Sequence, residues 1–327
     1  MSDTTESLRR TIDSAGDLQS VVRAMKAVAS SSIVAYEKSV RALADYERTV
    51  ELGLSACFRQ GTRPSSRVNG KGVGPDAVGA VVFGSDQGLV GQFNEIVADD
   101  ALDALRALNG RAQVWAVGER VRARLADASL PLMGVFAVPS SVQAIAPLVG
   151  QILVAGETRH GRPEVAELHL FYNHPMSATV CAPARKRLLP LDDEWRRQLV
   201  ALPWPTKGQP EVLGESTATV RCLIRGYLFV SIYRACAESL ASENASRLAA
   251  MERADKNIDE LLETLQATFQ RLRQTGIDEE LFDVVAGFEA LPAGASRWGS
   301  TVRPDMACGG RGRHVTKETP HEIHRPV

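Results

Sequence analysis

Two long stretches without proline, one near each end of the chain, repeat their apolar residues every three or four positions. This spacing places apolar side chains on one face of a helix. The second stretch ends near Leu291, and its apolar face comprises Leu223, Tyr227, Val230, Ala237, Leu240, Leu248, Met251, Ile258, Leu261, Leu265, Phe269 and Leu272. We therefore predict one helix of about 75 residues after Pro210, with a length of roughly 110 Å.

The first stretch runs from Leu8 to Cys57 and has close to the 3.5-residue repeat of a coiled coil. Its repeating positions are Leu8, Ile12, Ala15, Leu18, Val22, Met25, Ala29, Ile33, Tyr36, Val40, Leu43, Val50 and Leu54. A very long helix needs a partner along its length, so we predict that the two terminal helices pair. Small residues occupy many of these positions, which predicts closely spaced helices and a thin rod.

Composition narrows the function classes. The chain has 327 residues, 44% of them hydrophobic, and a net charge of −1, which is ordinary for a folded protein of two domains. It has no apolar run long enough to span a membrane and no apolar export segment at its start, so we expect a cytoplasmic location. Five cysteines without a CxxC pair indicate reduced thiols rather than disulfides or a zinc site.

Charge is distributed unevenly between the two predicted helices. Acidic residues outnumber basic ones in the C-terminal helix, whereas residues 18–42 carry Arg23, Lys26, Lys38 and Arg41 against Glu37 alone. This pattern predicts charge pairing between the helices. Neither helix has the face of a single charge sign that nucleic-acid binding needs, so we expect no nucleic-acid partner.

Between the helices, short apolar runs alternate with helical patterns, which predicts parallel strands with crossover helices. The predicted strands and helices, in chain order, are 77–84, 93–108, 112–118, 119–128, 141–155, 166–173 and a last strand within ATVCAPARKRLLPL. The predicted organisation is an N-terminal helix (1–60), a linker (61–75), a Rossmann-like α/β domain (76–205), a C-terminal helix (206–291) and a disordered tail (292–327).

One loop of this domain has the position of a phosphate-binding loop. The segment GSDQGLVGQFN, residues 84–94, joins a strand to a helix. It matches neither GxGxxG nor GxxxxGK[ST], which favours a tight structural turn over a nucleotide site. A nucleotide-dependent enzyme using this loop and an unrelated coiled-coil scaffold remain alternatives. His169 and His174 lack spaced ligand partners, so we expect no metal and no cofactor.

Three segments, in matching order and spacing, together resemble the gamma subunit of F-type ATP synthases, the central rotor shaft. They are LRRTIDSAGDLQSVVRAMKAVAS, the GSDQGLVGQFN loop, and ENASRLAAMERADKNIDELLETLQATFQRLRQTGIDEEL followed by GFEAL. The resemblance implies an antiparallel coiled coil with a Rossmann-like domain beside its lower end, in a subunit that is not itself catalytic. It implies the alpha and beta subunits, the epsilon subunit and the c-subunit ring as partners, at the cytoplasmic face of a bacterial inner membrane without direct insertion.

The resemblance also implies contacts to the beta subunit at Met25, Glu243, Arg247 and Gln274. We add Lys26, because its charge suits an acidic beta loop. Met25 also lies on the apolar repeat, and Glu243 with Arg247 has the spacing of a helix-supporting pair. We nevertheless expect Arg247 on the solvent side. The family loop motif corresponds to Ser85, Asp86, Gly88, Leu89, Gly91 and Asn94.

The chain departs from the usual family pattern at three places. Gln87 and Val90 replace a basic residue and a cysteine of the loop, and Ser30–Ser32 replace an Ala-Lys ending. The segments DSAGDLQSVV and GIDEELFDVVAGFEAL look most like the N-type F-ATPases, an alternative branch whose coupling ion is Na⁺ or H⁺. The c ring selects that ion.

Overall fold

The computed structural model describes residues 2–61, 77–107, 111–156, 167–176, 181–208, 210–211 and 216–290. The chain forms two compact units, Met1–Arg271 and Leu272–Val327. The predicted linker, apart from Gly61, and the predicted tail at 292–327 lie outside the described residues.

Six helices and five strands are formed by the described residues. In chain order they are α1 (Ser2–Arg59), β1 (Ala77–Phe83), α2 (Phe93–Ala107), β2 (Arg111–Val117), α3 (Glu119–Asp127), β3 (Leu132–Phe136), α4 (Val142–Gly156), β4 (Glu167–Pro175), β5 (Cys181–Leu189), α5 (Asp193–Ala201) and α6 (Ser216–Glu289). The two long terminal helices and the alternation of strands and helices between them confirm the predicted fold class.

Within the first unit, α1 and α6 run antiparallel. Gln19 of α1 reaches Asp259, the Ser39 hydroxyl lies 3.0 Å from the Tyr233 hydroxyl, and Gly53 lies against Leu223. Residues with higher numbers in α1 therefore contact residues with lower numbers in α6. The buried α1 residues Ala15, Val22, Ala29 and Tyr36 are seven residues apart and form one of the two positions per heptad that make a coiled-coil seam.

Two predicted seam residues are wrong. Leu18 is exposed, and the buried seam position is the neighbouring Gln19, whose amide donates to Asp259. Leu261 is likewise exposed, whereas Leu262 packs against the cluster formed by Val22, Met251 and Ile258. A coiled-coil repeat alternates spacings of three and four residues. After Ala15 and after Ile258, the sequence prediction used a spacing of three, whereas the seam residues of the structure follow at a spacing of four.

A five-stranded sheet, in the order β3-β2-β1-β4-β5, forms the centre of the α/β domain. Strands β3, β2, β1 and β4 are parallel, and β5 is antiparallel to β4. One face packs against α2 and α3 through residues such as Val82, Ala98 and Val121. The other packs against α4 and α6 through Phe83, Ile145 and Ile232, among others, so the sheet is fixed directly to the long C-terminal helix.

The sequence did not predict β3 or α5. Helix α5 begins after Asp192, whose carboxylate accepts a hydrogen bond from the Trp195 N–H at 2.8 Å. The Trp195 ring packs between Phe58 of α1 and Tyr227 of α6, with centroid distances of 5.9 and 5.2 Å. Helix α5 thereby joins the end of α1 to the start of α6.

Candidate functional site

The loop over residues 84–94 is held together by an exchange of hydrogen bonds between Ser85 and Asn94. The Ser85 N–H donates to Asn94 Oδ1 at 2.9 Å, and Asn94 Nδ2 donates to Ser85 Oγ at 2.9 Å. Both residues are buried. The Ser85 hydroxyl in turn donates to the Gln87 carbonyl at 2.8 Å. The buried polar groups of the motif are therefore satisfied by one another, as buried groups must be.

Asp86 ties the same loop to its neighbours. Its carboxylate accepts the Glu119 N–H at 3.0 Å and the Val138 N–H at 2.9 Å, which links the loop to the first turn of α3 and to the segment after β3. Gly118 has φ 109°, and a Cβ there would lie 2.7 Å from the Ser85 carbonyl oxygen. This close packing has the geometry of a structural turn.

The other three positions of the motif differ in their surroundings. Leu89 is exposed with φ 63°, Gly88 lies beside the Arg120 guanidinium, and Gly91 lies beside Arg253 of α6. Gly91 has φ 60°, a conformation that glycine adopts without steric cost. The loop thus positions the α/β domain beside the middle of α6.

Glu243 and Arg247 form a buried ion pair on α6. Arg247 Nη2 lies 2.5 Å from Glu243 Oε1, with side chains 13% and 7% exposed, and Arg247 Nη1 donates to Asn244 Oδ1 at 3.3 Å. Burial raises the pKa of Glu243, and Arg247 partly opposes that rise. Burial, followed by the charge of Glu243, also raises the pKa of Tyr36 on α1. The expectation that Arg247 lies on the solvent side is wrong, because its helix face packs towards α1 and the α/β domain.

Met25 and Lys26 lie at the seam between α1 and α6. Met25 is partly buried against the cluster of Val22, Met251 and Ile258. Lys26 Nζ lies 3.0 Å from Asp255 Oδ2, and its hydrogen bond is the largest cause of the lowered pKa of Asp255. The predicted charge pairing between the two helices is confirmed here.

The second unit, described from Leu272 to residue 290, carries Gln274 on an exposed position. Its helical segment also exposes an apolar stripe, which the sequence reasoning missed because it ended the apolar repeat at Leu272. The stripe comprises Ile277, Leu281, Val284, Val285 and Phe288. Their spacing puts them on one helix face, and a contiguous exposed apolar face marks an interaction surface.

Among the described residues, no group of His, Cys, Asp and Glu side chains is arranged to hold a metal ion. None of the helices in the described part of the chain is both long enough and apolar enough to cross a membrane.

Comparison with known proteins identifies the family. The family model described as ATP synthase matches residues 4–291. An ATP synthase gamma chain of Moorella thermoacetica is 29% identical over 293 residues, covering 87% of this chain and 98% of that relative. The gamma chain of Syntrophobacter fumaroxidans is 30% identical over 220 residues, covering 64% and 72%.

Solved structures share the fold. A chain from the OSCP, F1 and c-ring structure of the Euglena gracilis mitochondrial ATP synthase has a TM-score of 0.57 at 16% identity, with 93% of this chain and 99% of that chain covered. A chain of the Tetrahymena thermophila central stalk and c-ring assembly has a TM-score of 0.51 at 22% identity, with 72% and 99% covered. The sequence match over residues 4–291, with gamma-chain relatives aligned almost from end to end, shows that this chain belongs to the ATP synthase gamma chain family.

Proposed function

We propose that this chain is the central-stalk rotor subunit of an F-type ATP synthase or ATPase, and that it couples ion flow through a c ring to ATP chemistry on beta subunits. The observation that carries this proposal is the family match over residues 4–291. The chain itself makes and breaks no bond in this function. It acts by position, and the satisfied polar groups of the 84–94 loop support a structural role for that loop.

The proposed mechanism depends on the asymmetric surface of the rotor. A rotor inside a ring of alternating alpha and beta subunits presents a different face to each beta subunit. Each catalytic site then has a different free energy for its open and closed states at a given rotor angle. Rotation moves these preferences from one site to the next. Continuous helices such as α1 and α6 resist twisting, which this mechanism requires.

The expected partners are the alpha and beta subunits around the helix pair, and the epsilon subunit and c ring at the other end. The exposed apolar stripe at 277–288 supports the alpha and beta subunits as partners of the helix pair. Five large apolar residues exposed to water on one helix face are unfavourable unless a partner covers them. The c ring would place the complex at the cytoplasmic face of a bacterial inner membrane, with this chain attached peripherally.

Five residues are proposed to contact beta. Gln274 is exposed and directly available. Met25 and Lys26 are partly buried at the seam, and Glu243 and Arg247 form the buried pair. The last two therefore reach a partner only through their few exposed atoms.

Co-expression with the alpha and beta subunits from the same genome tests the proposal. We expect the chain to co-purify with both and to raise ATP hydrolysis above that of alpha and beta alone. A complex of alpha and beta that forms and turns over equally well without this chain would contradict the rotor function.

The nucleotide-enzyme alternative is not favoured by the family match, and a direct measurement separates it. In equilibrium dialysis of the isolated chain with ATP, ADP and NAD, the rotor function predicts no saturable binding. The N-type branch stays a prediction, and the subunit genes that neighbour this one would test it.

A further inference from the structure

A charged network connects both long helices to the β4–β5 hairpin. We call it the Arg234 network, and it consists of Glu47 on α1, Tyr172 and His174 on β4, Lys186 on β5, and Arg234 and Glu238 on α6. At its centre, Arg234 Nε donates to Glu238 Oε1 at 2.7 Å, and Arg234 Nη1 donates to Glu47 Oε2 at 2.9 Å. One guanidinium therefore bridges two helices.

The hairpin reaches the same two carboxylates. Lys186 Nζ lies 3.7 Å from Glu47 Oε1, and His174 Nδ1 lies 3.4 Å from Glu238 Oε2. The Tyr172 hydroxyl also forms a hydrogen bond with Glu238, and burial is the main cause that raises the pKa of Tyr172 to about 12. Glu47 thus has one partner on the hairpin, Glu238 has two, and both carboxylates share Arg234.

The two carboxylates are nearly buried. The side chains of Glu47 and Glu238 are 12% and 7% exposed. Buried carboxylates repel each other unless a cation lies between them, and the hydrogen bond to Glu238 is the largest cause of the raised pKa of Arg234. A planar guanidinium can serve two carboxylates at fixed angles, which a single ammonium cannot do.

The rest of this contact is mainly apolar, with neutral hydrogen bonds from the Ser242 hydroxyl to the Asn173 carbonyl at 3.0 Å and from the Tyr233 hydroxyl to the Val142 carbonyl at 3.5 Å. Ile232, Ala235, Cys236 and Leu240 of α6 pack against the sheet face formed by residues such as Phe83 and Leu170. Apolar contacts resist separation, but they are non-directional and do little to oppose sliding or turning of one surface on another. Hydrogen bonds between charged groups are directional and oppose both movements.

We infer that Arg234 is a positioning residue for torque transfer, locking the β4–β5 hairpin to α1 and α6 so that the α/β domain and the helix pair turn together. This inference rests on the proposed rotor function. In that function torque passes between the helices and the end near the α/β domain, whichever way the rotor turns, so any slip between them loses work. The Arg234 network lies between these two parts.

Three variants of the chain, each assembled into the complete ATP synthase in membrane vesicles, test this inference. Arg234→Met removes the bridge, and the triple variant Glu47→Gln, Arg234→Met, Glu238→Gln removes both the bridge and the stranded carboxylates. Arg122→Met is the matched control, because Arg122 is 43% exposed, as Arg234 is, but its ion pair among the described residues is with Glu119 of its own helix. The measurements are thermal unfolding of the complex, ATP hydrolysis, and ATP-driven ion transport.

We expect Arg122→Met to match the wild type in all three measurements. For Arg234→Met and for the triple variant, we expect hydrolysis close to wild type but a ratio of ion transport to hydrolysis lowered about two- to thirtyfold, the range for residues that couple distant sites. The triple variant should unfold close to the wild-type temperature, since it leaves neither carboxylate charged and unpaired, and Lys186, which loses Glu47, is 29% exposed and can be solvated.

The outcomes separate the two proposals. Wild-type transport per ATP in the triple variant would overturn the inference, because the network would then only satisfy buried charges. Failure of both Arg234 variants to assemble would overturn it too, by making the network a folding requirement. Failure of the wild-type chain to support hydrolysis or transport would instead refute the proposed rotor function.

Discussion

Replacing Arg247 by methionine tests whether the Arg247–Glu243 pair supports the fold independently of any partner. The charged atoms are 2.5 Å apart and both side chains are nearly buried. Removing one member of a buried pair costs about 3–5 kcal/mol, because it leaves an uncompensated charge. Unfolding entropy is about 2.1 cal/mol/K per residue, so in a chain of 327 residues each kcal/mol lowers the melting temperature by about 1.5 °C, and we expect a decrease of about 4–8 °C at neutral pH.

The same variant should have a characteristic pH dependence. The folded-state pKa of Glu243 lies above its ordinary value of 4.5, because burial raises it more than Arg247 lowers it. An acid of this kind favours the folded state fully below its unfolded pKa, and this contribution is lost as the pH rises through the folded pKa. Without Arg247 the folded pKa rises further. The stability difference between wild type and variant should therefore be small in acid and grow towards neutral pH.

Urea unfolding followed by circular dichroism, at acidic and at neutral pH, measures both effects. The control is Glu243→Gln with Arg247→Met, which leaves no buried charge and should recover most of the lost stability. A single variant as stable as wild type at neutral pH would refute the burial argument. A double variant no more stable than the single one would show that lost packing, and not the unpaired carboxylate, causes the effect.

Four further changes have expected outcomes in thermal or urea unfolding of the chain, and two changes at Leu265 have expected outcomes in the activity of the assembled complex. Gly118→Ala forces a Cβ against Ser85 at φ 109° and should cost about 1–3 kcal/mol or more, whereas Gly150→Ala, with no atom within 4 Å of its new Cβ, should stabilise α4 by about 0.5–1 kcal/mol. Ile258→Ala should cost about 2–5 kcal/mol because Ile258 is buried at the seam, whereas the exposed Leu261→Ala should cost less than about 1 kcal/mol. Leu265→Pro should disrupt α6 by about 3 kcal/mol or more and abolish coupled ATPase activity in the assembled complex, whereas Leu265→Met should retain it.

The long helices were predictable because their apolar repeats persist over many turns. The individual seam residues were harder to predict, because either of two adjacent residues could fit the repeat at each position. Leu18 is more apolar than Gln19, yet Gln19 lies in the seam and binds carboxylates of α6. Those partners are more than 230 positions away in the sequence, and the sequence pattern of α1 alone carries no information about them.

The smaller elements and the site depended on similar long-range contacts. Strand β3 is short and contains Gly134, so its apolar run is too weak to predict a strand. The spacing of Glu243 and Arg247 showed that they could pair, but their burial results from the packing of α1 and the α/β domain around that turn of α6. The apolar stripe of the second unit was visible as a continued repeat after Leu272, and only its exposure required the structure.

The proposed contacts to beta include cations that are already paired within the chain. Lys26 is bound to Asp255, and Arg247 is bound to Glu243. A carboxylate of beta must therefore compete with an internal partner, and the attraction that it gains is largely offset by the attraction that is lost. Contacts made by such exchange are weak in net free energy even where they are specific in geometry. A rotor needs contacts of this kind, because a ligand-like affinity at one angle would hold it there against the next step of rotation.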